Sequence, residues 1–143
     1  MLFRSPQREP GGGVDDRRRD AAVDRSGGEV GELLVFGLPF DEKFANLASG
    51  TVHGGVTATV IDTASGFALR STFDDPAAAR LTTTDLNVRY LRPARDDLRV
   101  TAEVVRAGGS IGVTRCEATT GHEGERKVVA TGGTSYRLFR EEP

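Results

Sequence analysis

The chain has 143 residues, a length that fits one domain with its own core and would leave two half-size domains marginal. Its 19 Lys and Arg residues against 21 Asp and Glu residues give a formal net charge of −2, which offers no basic surface for nucleic acid or an anionic membrane. The single cysteine, Cys116, excludes an intrachain disulfide framework and a cysteine-based metal cage, and it indicates a reducing compartment.

Residues 1–28 are rich in Arg, Asp, Gly, Pro and Ser, and this composition predicts a disordered N-terminal segment. Its GGGVDDRRRD run has no preceding strand and no following Lys-Ser or Lys-Thr, so we do not interpret it as a phosphate-binding loop. The segment lacks the apolar core of a secretory signal, and Glu9, Asp15 and Asp16 argue against a transit peptide. Because no run approaches the roughly 20 apolar residues that span a bilayer, we expect a cytoplasmic protein without membrane contact.

The predicted domain covers residues 29–139 and leaves a short tail at 140–143. A first strand begins near Glu29 and is closed by Pro39. Helical periodicity then covers Gly54 to Thr72, with the core-facing arc formed by Val56, Val60, Ile61, Ala64, Phe67 and Ala68. The opposite face carries Ala58, Asp62, Ser65, Gly66 and Leu69. We predict that this face is exposed to solvent or packs against another chain.

Four strands follow the helix, because the apolar period returns to two. The second strand places Thr82, Thr84, Leu86, Val88 and Tyr90 on one face and ends before Arg92 and Pro93. The third and fourth strands form a hairpin around Ala107–Ser110, and a slip in the apolar pattern between Val113 and Cys116 predicts a bulge in the fourth. The last strand runs from Lys127 to Phe139, where Gly132 and Gly133 predict the close approach of another backbone.

The order of elements is one strand, one long helix and four strands joined mostly by short turns. It predicts an α+β fold in which an antiparallel sheet of about five strands curls around the single helix. A helix of this length is about 25 Å long and matches strands of about eight residues. Since such a sheet has open edges, we expect two chains to join their sheets in a homo-oligomer.

The segment GTVHGGVTATVIDTASGFAL, residues 50–69, combines a His-Gly-Gly entry with an acidic residue inside the predicted helix. Backbone N–H groups at a helix start favour developing negative charge, so a carbonyl can be polarised there. Asp62, two turns further on, can then supply the attack. Without further context, a carboxylate in mid-helix is usually a solvated surface residue.

Three segments in this order carry a family resemblance: HGGVTATVIDTASGFAL, TTTDLNVRYLRPAR and AEVVRAGGSIGVTRCEAT. Over Glu29 to Phe139 the chain resembles the PaaI-like branch of the hotdog-fold acyl-CoA thioesterases, most specifically through the aspartate nine positions after the histidine. The resemblance implies a sheet wrapped around the helix and an active cleft formed by two subunits of a dimer or dimer of dimers. It also implies hydrolysis of an acyl-CoA thioester with no metal and no cofactor besides the CoA of the substrate.

The resemblance assigns roles around the start of the helix. Asp62 matches the family carboxylate that acts as nucleophile or as general base for water, and the sequence does not separate these routes. Gly54 matches the residue whose N–H donates to the thioester oxygen as it gains negative charge, and Gly55 has a steric role beside the substrate. His53 matches a histidine that holds the loop or the thioester. Nothing in this pattern predicts a metal site.

Two further catalytic candidates depend on alignment details. Thr83 lies where relatives have a hydroxyl residue that positions the attacking water across the dimer interface, with Thr82 and Thr84 as competing registers and a plain strand threonine as the alternative. Relatives have an asparagine six residues before the histidine, where this chain has Leu47 and carries Asn46 one position earlier. Either the loop has one extra residue or Asn46 lacks this role, and we keep Asn46 as a candidate.

For the CoA moiety, the resemblance points to the turn between the third and fourth strands, with Gly109 and Ser110. Guanidinium groups form forked contacts with phosphate oxygens, so Arg89, Arg92 and Arg106 are candidate phosphate ligands, with ordinary solvation as the alternative. Two other functions stay open at this point. One is a non-catalytic acyl-CoA-binding protein, and the other is a hotdog hydratase or dehydratase, which needs a differently placed His and acid pair.

Overall fold

A computed structural model describes residues 33–122 and 124–140. The predicted disordered segment 1–28, the predicted strand start at Glu29 and tail residues 141–143 lie outside the described residues. The elements are β1 (Leu33–Leu38), a short 3-10 helix (Glu42–Phe44), α1 (Gly54–Arg70), β2 (Arg80–Tyr90), β3 (Leu98–Ala107), β4 (Ile111–Thr120) and β5 (Lys127–Phe139). Within the described ranges, no helix has the length and apolar character needed to span a bilayer.

The five strands form one antiparallel sheet in the order β1-β3-β4-β5-β2, which wraps around α1. This confirms the predicted curved sheet around a single helix. The core lies between them, and its largest fully buried apolar side chains are Ile61, Leu69, Leu98, Val100, Val104, Val129 and Leu138. β1 and β2 form the two edges, so each has a side that no described strand pairs with.

The prediction for the second face of α1 is wrong for three of its five residues, whereas Ala58 and Asp62 are partly exposed. Ser65 and Leu69 are fully buried and Gly66 is buried as well, all against the chain's own sheet. The sheet curls far enough to cover both flanks of the helix, and small residues on each side permit the approach. A Cβ at Gly112 would lie only 2.6 Å from Leu69 Cδ2.

The helix ends at Arg70, two residues before the predicted end at Thr72. The Ser71 N–H there bonds to the carbonyls of the last turn.

The predicted bulge in β4 is also misplaced. β4 alternates regularly, with Gly112, Thr114, Cys116 and Ala118 buried. The register shift lies opposite, in β3, between Val104 and Arg106. The apolar pattern slips because Thr114 occupies an inward position, where its hydroxyl bonds to Ser65 Oγ at 2.9 Å and Thr134 Oγ1 at 2.7 Å.

A bulge at Thr84 in β2 decides which side chains reach the helix. Thr83 pairs with Tyr136 and Asp85 pairs with Ser135, so Thr84 is the extra residue. Leu81 and Val88 both pack against the core although they are seven positions apart, an odd offset that would put them on opposite faces of a regular strand. The predicted common face of Thr82, Thr84, Leu86, Val88 and Tyr90 is therefore wrong, because the parity changes at the bulge.

The close backbone approach predicted at Gly132 and Gly133 is confirmed. A Cβ at Gly132 would collide with the Asn87 carbonyl oxygen, and one at Gly133 would lie 2.5 Å from the Thr114 carbonyl oxygen.

We expect Gly132→Ala to lower the free energy of unfolding by about 3 kcal/mol, because the strand backbone cannot move aside without breaking the hydrogen bonds between the strands. Gly109→Ala, at a turn position with no atom within 4 Å of the new Cβ, is the matched control and should change stability by less than about 0.5 kcal/mol. Equal urea midpoints for the two variants would contradict this account.

Candidate active site

The start of α1 presents a backbone donor. His53 is the N-cap, and its Nδ1 accepts the Gly55 N–H at 2.9 Å. Among the described residues, the Gly54 N–H has no protein acceptor. A ring nitrogen that accepts this bond carries no proton, so His53 acts here as a cap. The Gly54 N–H is thus the free donor, whereas the Gly55 N–H is already occupied.

Short backbone bonds hold the loop before the helix. The His53 N–H donates to the Phe44 carbonyl at 2.8 Å, and the Asn46 N–H donates to the Thr51 carbonyl at 2.8 Å. The Asn46 side chain lies 3.4 Å from Thr51 Oγ1, and Leu47 at the loop tip is fully exposed. The structure thus gives Asn46 a contact that stabilises the loop.

Tyr90, which the sequence analysis treated only as a strand residue, lies against the helix start. Its hydroxyl donates to the Gly54 carbonyl at 2.5 Å, and its ring would be 3.2 Å from a Cβ at Gly54. A cavity of about 330 Å³ opens beside it, lined by Gly54, Thr57, Tyr90 and residues 91–94 among others. The glycine therefore leaves room both for the tyrosine ring and for a ligand.

Asp62 is half-buried, and two hydroxyl groups hold its carboxylate. Oδ1 accepts from Thr83 Oγ1 at 2.9 Å and from the Tyr136 hydroxyl at 2.6 Å, while Oδ2 has no partner among the described residues. Of the three candidate threonines only Thr83 contacts the aspartate, since Thr84 donates to the Ser135 carbonyl. The contact of Thr83 with Asp62 forms within one chain. The free Oδ2 is the oxygen able to take a proton or attack a carbon.

Tyr136 is the second residue that the sequence analysis missed. Burial, followed by its hydrogen bond to Asp62, raises the pKa of Tyr136 well above its usual range. The phenol therefore stays protonated and donates to the carboxylate. An inward tyrosine in a period-two strand is a usable signal, because its polar tip needs a partner, but the sequence does not reveal that the partner is Asp62.

Gly54 and Asp62 do not meet within one chain. Eight residues of helix separate them, which is about 12 Å along the axis at 1.5 Å per residue. An attacking atom must come within about 3–3.5 Å of the carbonyl carbon. Asp62 is also not among the residues that line the cavity beside Gly54. Both residues nevertheless contact the edge strand β2, Gly54 through Tyr90 and Asp62 through Thr83.

The predicted CoA-binding residues fall into two groups at opposite ends of α1. Arg92 lines the cavity at the helix start and donates to the Val128 carbonyl, and exposed Arg89 lies on β2 nearby. Gly109 and Ser110 lie at the other end, where the Ser110 carbonyl accepts the Leu138 N–H, and exposed Arg106 lies in the strand that leads into their turn. The structure therefore does not bring the five residues together in one chain.

The fold and the site define a class: a curved sheet around one helix, with a free amide at the helix start and an anchored carboxylate in its middle. Residues 49–127 match the thioesterase superfamily. The chain belongs to this superfamily and is a thioester hydrolase of the hotdog fold.

Individual relatives agree with this class. The Halobacterium salinarum protein named "Putative esterase VNG_1336C" is 46% identical over 110 residues, covering 73% of each chain. Human acyl-coenzyme A thioesterase 13 is 35% identical over 107 residues, covering 73% of this chain and 72% of the human protein. The crystal structure of Bacillus halodurans BH2602 with CoA has a TM-score of 0.66 at 29% identity, and the match covers 76% of this chain and 68% of that one.

Proposed function

We propose that the protein hydrolyses an acyl-CoA thioester to a free carboxylic acid and CoA. The observation that carries the proposal is the Asp62 carboxylate, anchored at Oδ1 by Thr83 and Tyr136 and free at Oδ2. Acyl-CoA is the substrate class named for human acyl-coenzyme A thioesterase 13, and CoA is present in the related Bacillus halodurans structure.

In the proposed mechanism, the Gly54 N–H donates to the thioester oxygen and stabilises its developing negative charge at the positive end of the helix dipole. Asp62 Oδ2 then acts in one of two ways. It removes a proton from a water molecule that attacks the carbonyl carbon, or it attacks the carbon itself and forms an acyl intermediate that water cleaves. In both routes the carbon–sulfur bond breaks, and CoA leaves as the thiolate and is then protonated. His53 holds the helix start in place.

We further propose that the site is completed by a second copy of the chain. Gly54 and Asp62 of one chain are too far apart for one carbonyl, yet each contacts β2, the edge strand. If two β2 strands pair antiparallel about a two-fold axis near Leu86 and Asn87, Tyr90 of one chain comes opposite Thr83 of the other. Each thioester then lies between Gly54 of one protomer and Asp62 of its partner. The pairing would also cover the exposed side chain of Leu86 and the open edge.

We propose no metal and no cofactor other than the CoA of the substrate. Both proposed routes need only the Gly54 N–H, the Asp62 carboxylate and water. In the proposed dimer, CoA is bound from two sides. The candidate residues are Arg89 and Arg92 of one protomer, and Arg106, Gly109 and Ser110 of the other.

The cytoplasmic location and the lack of nucleic-acid and membrane partners stay predictions.

An acyl-CoA panel tests the proposed activity. Short branched, medium-chain and aromatic acyl-CoA substrates are incubated with the protein, and free thiol is measured with a chromogenic disulfide. We expect steady thiol release from at least one class, with multiple turnovers per protomer. Tight binding without turnover would favour the acyl-CoA-binding alternative. A change of conjugated absorbance with enoyl- or 3-hydroxyacyl-CoA, without thiol release, would favour a hydratase or dehydratase.

A further inference from the structure

Tyr136, on β5, contacts the Asp62 carboxylate beside the edge strand β2. Its side chain is 4% exposed, and its hydroxyl lies 2.6 Å from both Asp62 Oδ1 and the Asp62 carbonyl oxygen. The single phenol proton is thus within reach of two acceptors of the same residue, the carboxylate and the main-chain carbonyl. This contact holds Oδ1 close to the helix backbone and restricts the rotamers of the Asp62 side chain.

Gly66 makes this approach possible. It follows Asp62 by four residues, so it lies one turn further along the same helix face. A Cβ at Gly66 would lie 3.2 Å from the Tyr136 hydroxyl oxygen, which is tighter than an ordinary contact. A larger residue at this position would push the phenol away from the carboxylate. Glycine is unfavourable inside a helix, and its presence at this position is explained by the contact with Tyr136.

We propose that Tyr136 is a positioning residue for the reaction: its hydroxyl fixes Asp62 Oδ1 through the gap left by Gly66, so that Oδ2 points toward the thioester. The inference rests on the proposed function. Thr83 is the cross-strand neighbour of Tyr136 and donates to the same oxygen, so the two hydroxyls orient the carboxylate plane together.

The groups of the described residues that face the Asp62 carboxylate are uncharged. The titratable ones are Tyr136 on β5 and Cys116 on β4. Burial raises the pKa of the Cys116 thiol, so this group is uncharged. From β2 comes the neutral Thr83 hydroxyl, and β1 and β3 pack apolar side chains against the helix. Removing one hydroxyl donor therefore removes a hydrogen bond and leaves the charge around the carboxylate unchanged.

The test is Tyr136→Phe, which deletes the hydroxyl and keeps the ring. We expect kcat to fall roughly 10- to 100-fold, as for loss of a hydrogen bond to a charged group, with KM changed less than about twofold. A loss of kcat with little change in KM is expected when a group orients the reacting carboxylate and does not bind the substrate. Gly66→Ala, which displaces the phenol, should lower kcat by a smaller factor.

Thr134→Val is the matched control. Thr134 is an equally buried hydroxyl two residues away on β5, and it bonds to Thr114 instead of Asp62. The Thr134→Val variant should have a lower melting temperature and the same kcat as the unaltered chain. If Tyr136→Phe kept the kcat and KM of an active unaltered chain, the positioning role would be overturned. A Thr134→Val variant with the same kinetic defect would overturn it as well.

A second measurement separates this inference from the proposed function. The ¹³C NMR signal of the Asp62 carboxyl carbon is recorded without substrate at one fixed pH, and it is identified by its loss in Asp62→Asn. We expect its chemical shift to change in Tyr136→Phe but not in Thr134→Val, and an unchanged shift in Tyr136→Phe would contradict the hydrogen bond. Absence of thiol release from any acyl-CoA by the unaltered chain would instead contradict the proposed function.

Discussion

Replacement of Asp62 by Asn should reduce kcat/KM for acyl-CoA hydrolysis by about 10²- to 10⁴-fold while the fold stays intact. The asparagine Oδ1 still accepts from Thr83 and Tyr136, so the side chain keeps its position. What is lost is the negative oxygen, which both the nucleophilic and the general-base route require. Thiol release from the best substrate of the panel, together with circular dichroism and a melting curve, measures the effect.

Asp74→Asn is the control for this substitution. Asp74 lies exposed in the turn after α1, so the same change of charge occurs away from the site. Its kcat/KM should equal that of the unaltered chain. If Asp62→Asn retained full activity, the assignment of the carboxylate would be wrong whatever the other variants showed.

Two inactive variants should restore activity when they are combined in one dimer. Gly54→Pro removes the N–H that polarises the thioester, and we expect a loss of about 10²- to 10³-fold. Proline suits the first helical position, and His53 already has the extended backbone (ψ 135°) that a residue before proline adopts. A heterodimer of Gly54→Pro and Asp62→Asn has one site with both defects and one site with neither. Its activity should therefore be about half that of the unaltered dimer.

The heterodimer is isolated with two different affinity tags and assayed beside both parent homodimers. Gly54→Ala is the steric control, because it adds the Cβ that lies 3.2 Å from the Tyr90 ring but keeps the N–H. It should lose far less activity than Gly54→Pro. A heterodimer as inactive as its parents would show that Gly54 and Asp62 act within one chain, and the proposed shared site would fall.

Much of the fold could be predicted because single elements have strong periodic signals. The helix start at Gly54, the limits of the last strand at Lys127 and Phe139, and the backbone approach at Gly132 agree with the structure. The errors arise where a side chain's environment depends on another element. Ser65 and Leu69 were placed outside the core because helical periodicity treats the opposite face as free, whereas a curled sheet covers both flanks.

In the candidate site, too, the residues set by local spacing could be predicted and those set by contacts between distant elements could not. The positions of His53, Gly54 and Asp62 follow from the motif, since their spacing along one helix is a local property. Tyr90 and Tyr136 could not be found, because their contacts join residues 36 and 74 positions apart and depend on strand register. The choice of Thr83 among three threonines also required register, because the bulge at Thr84 changes which side of β2 faces the helix.

By itself the sequence determined the helix, the backbone N–H of Gly54 at its start and the carboxylate of Asp62 in its middle. Helical geometry sets the spacing of residues that are near one another in the chain. The tertiary structure alone decided that Asp62 is anchored at one oxygen by Thr83 and Tyr136 and free at the other. It also showed that Gly54 and Asp62 of one chain are about 12 Å apart along the helix, too far for both to act on one thioester carbonyl. Hydrogen bonds between distant segments depend on sheet curvature and bulges, which no short stretch of residues specifies.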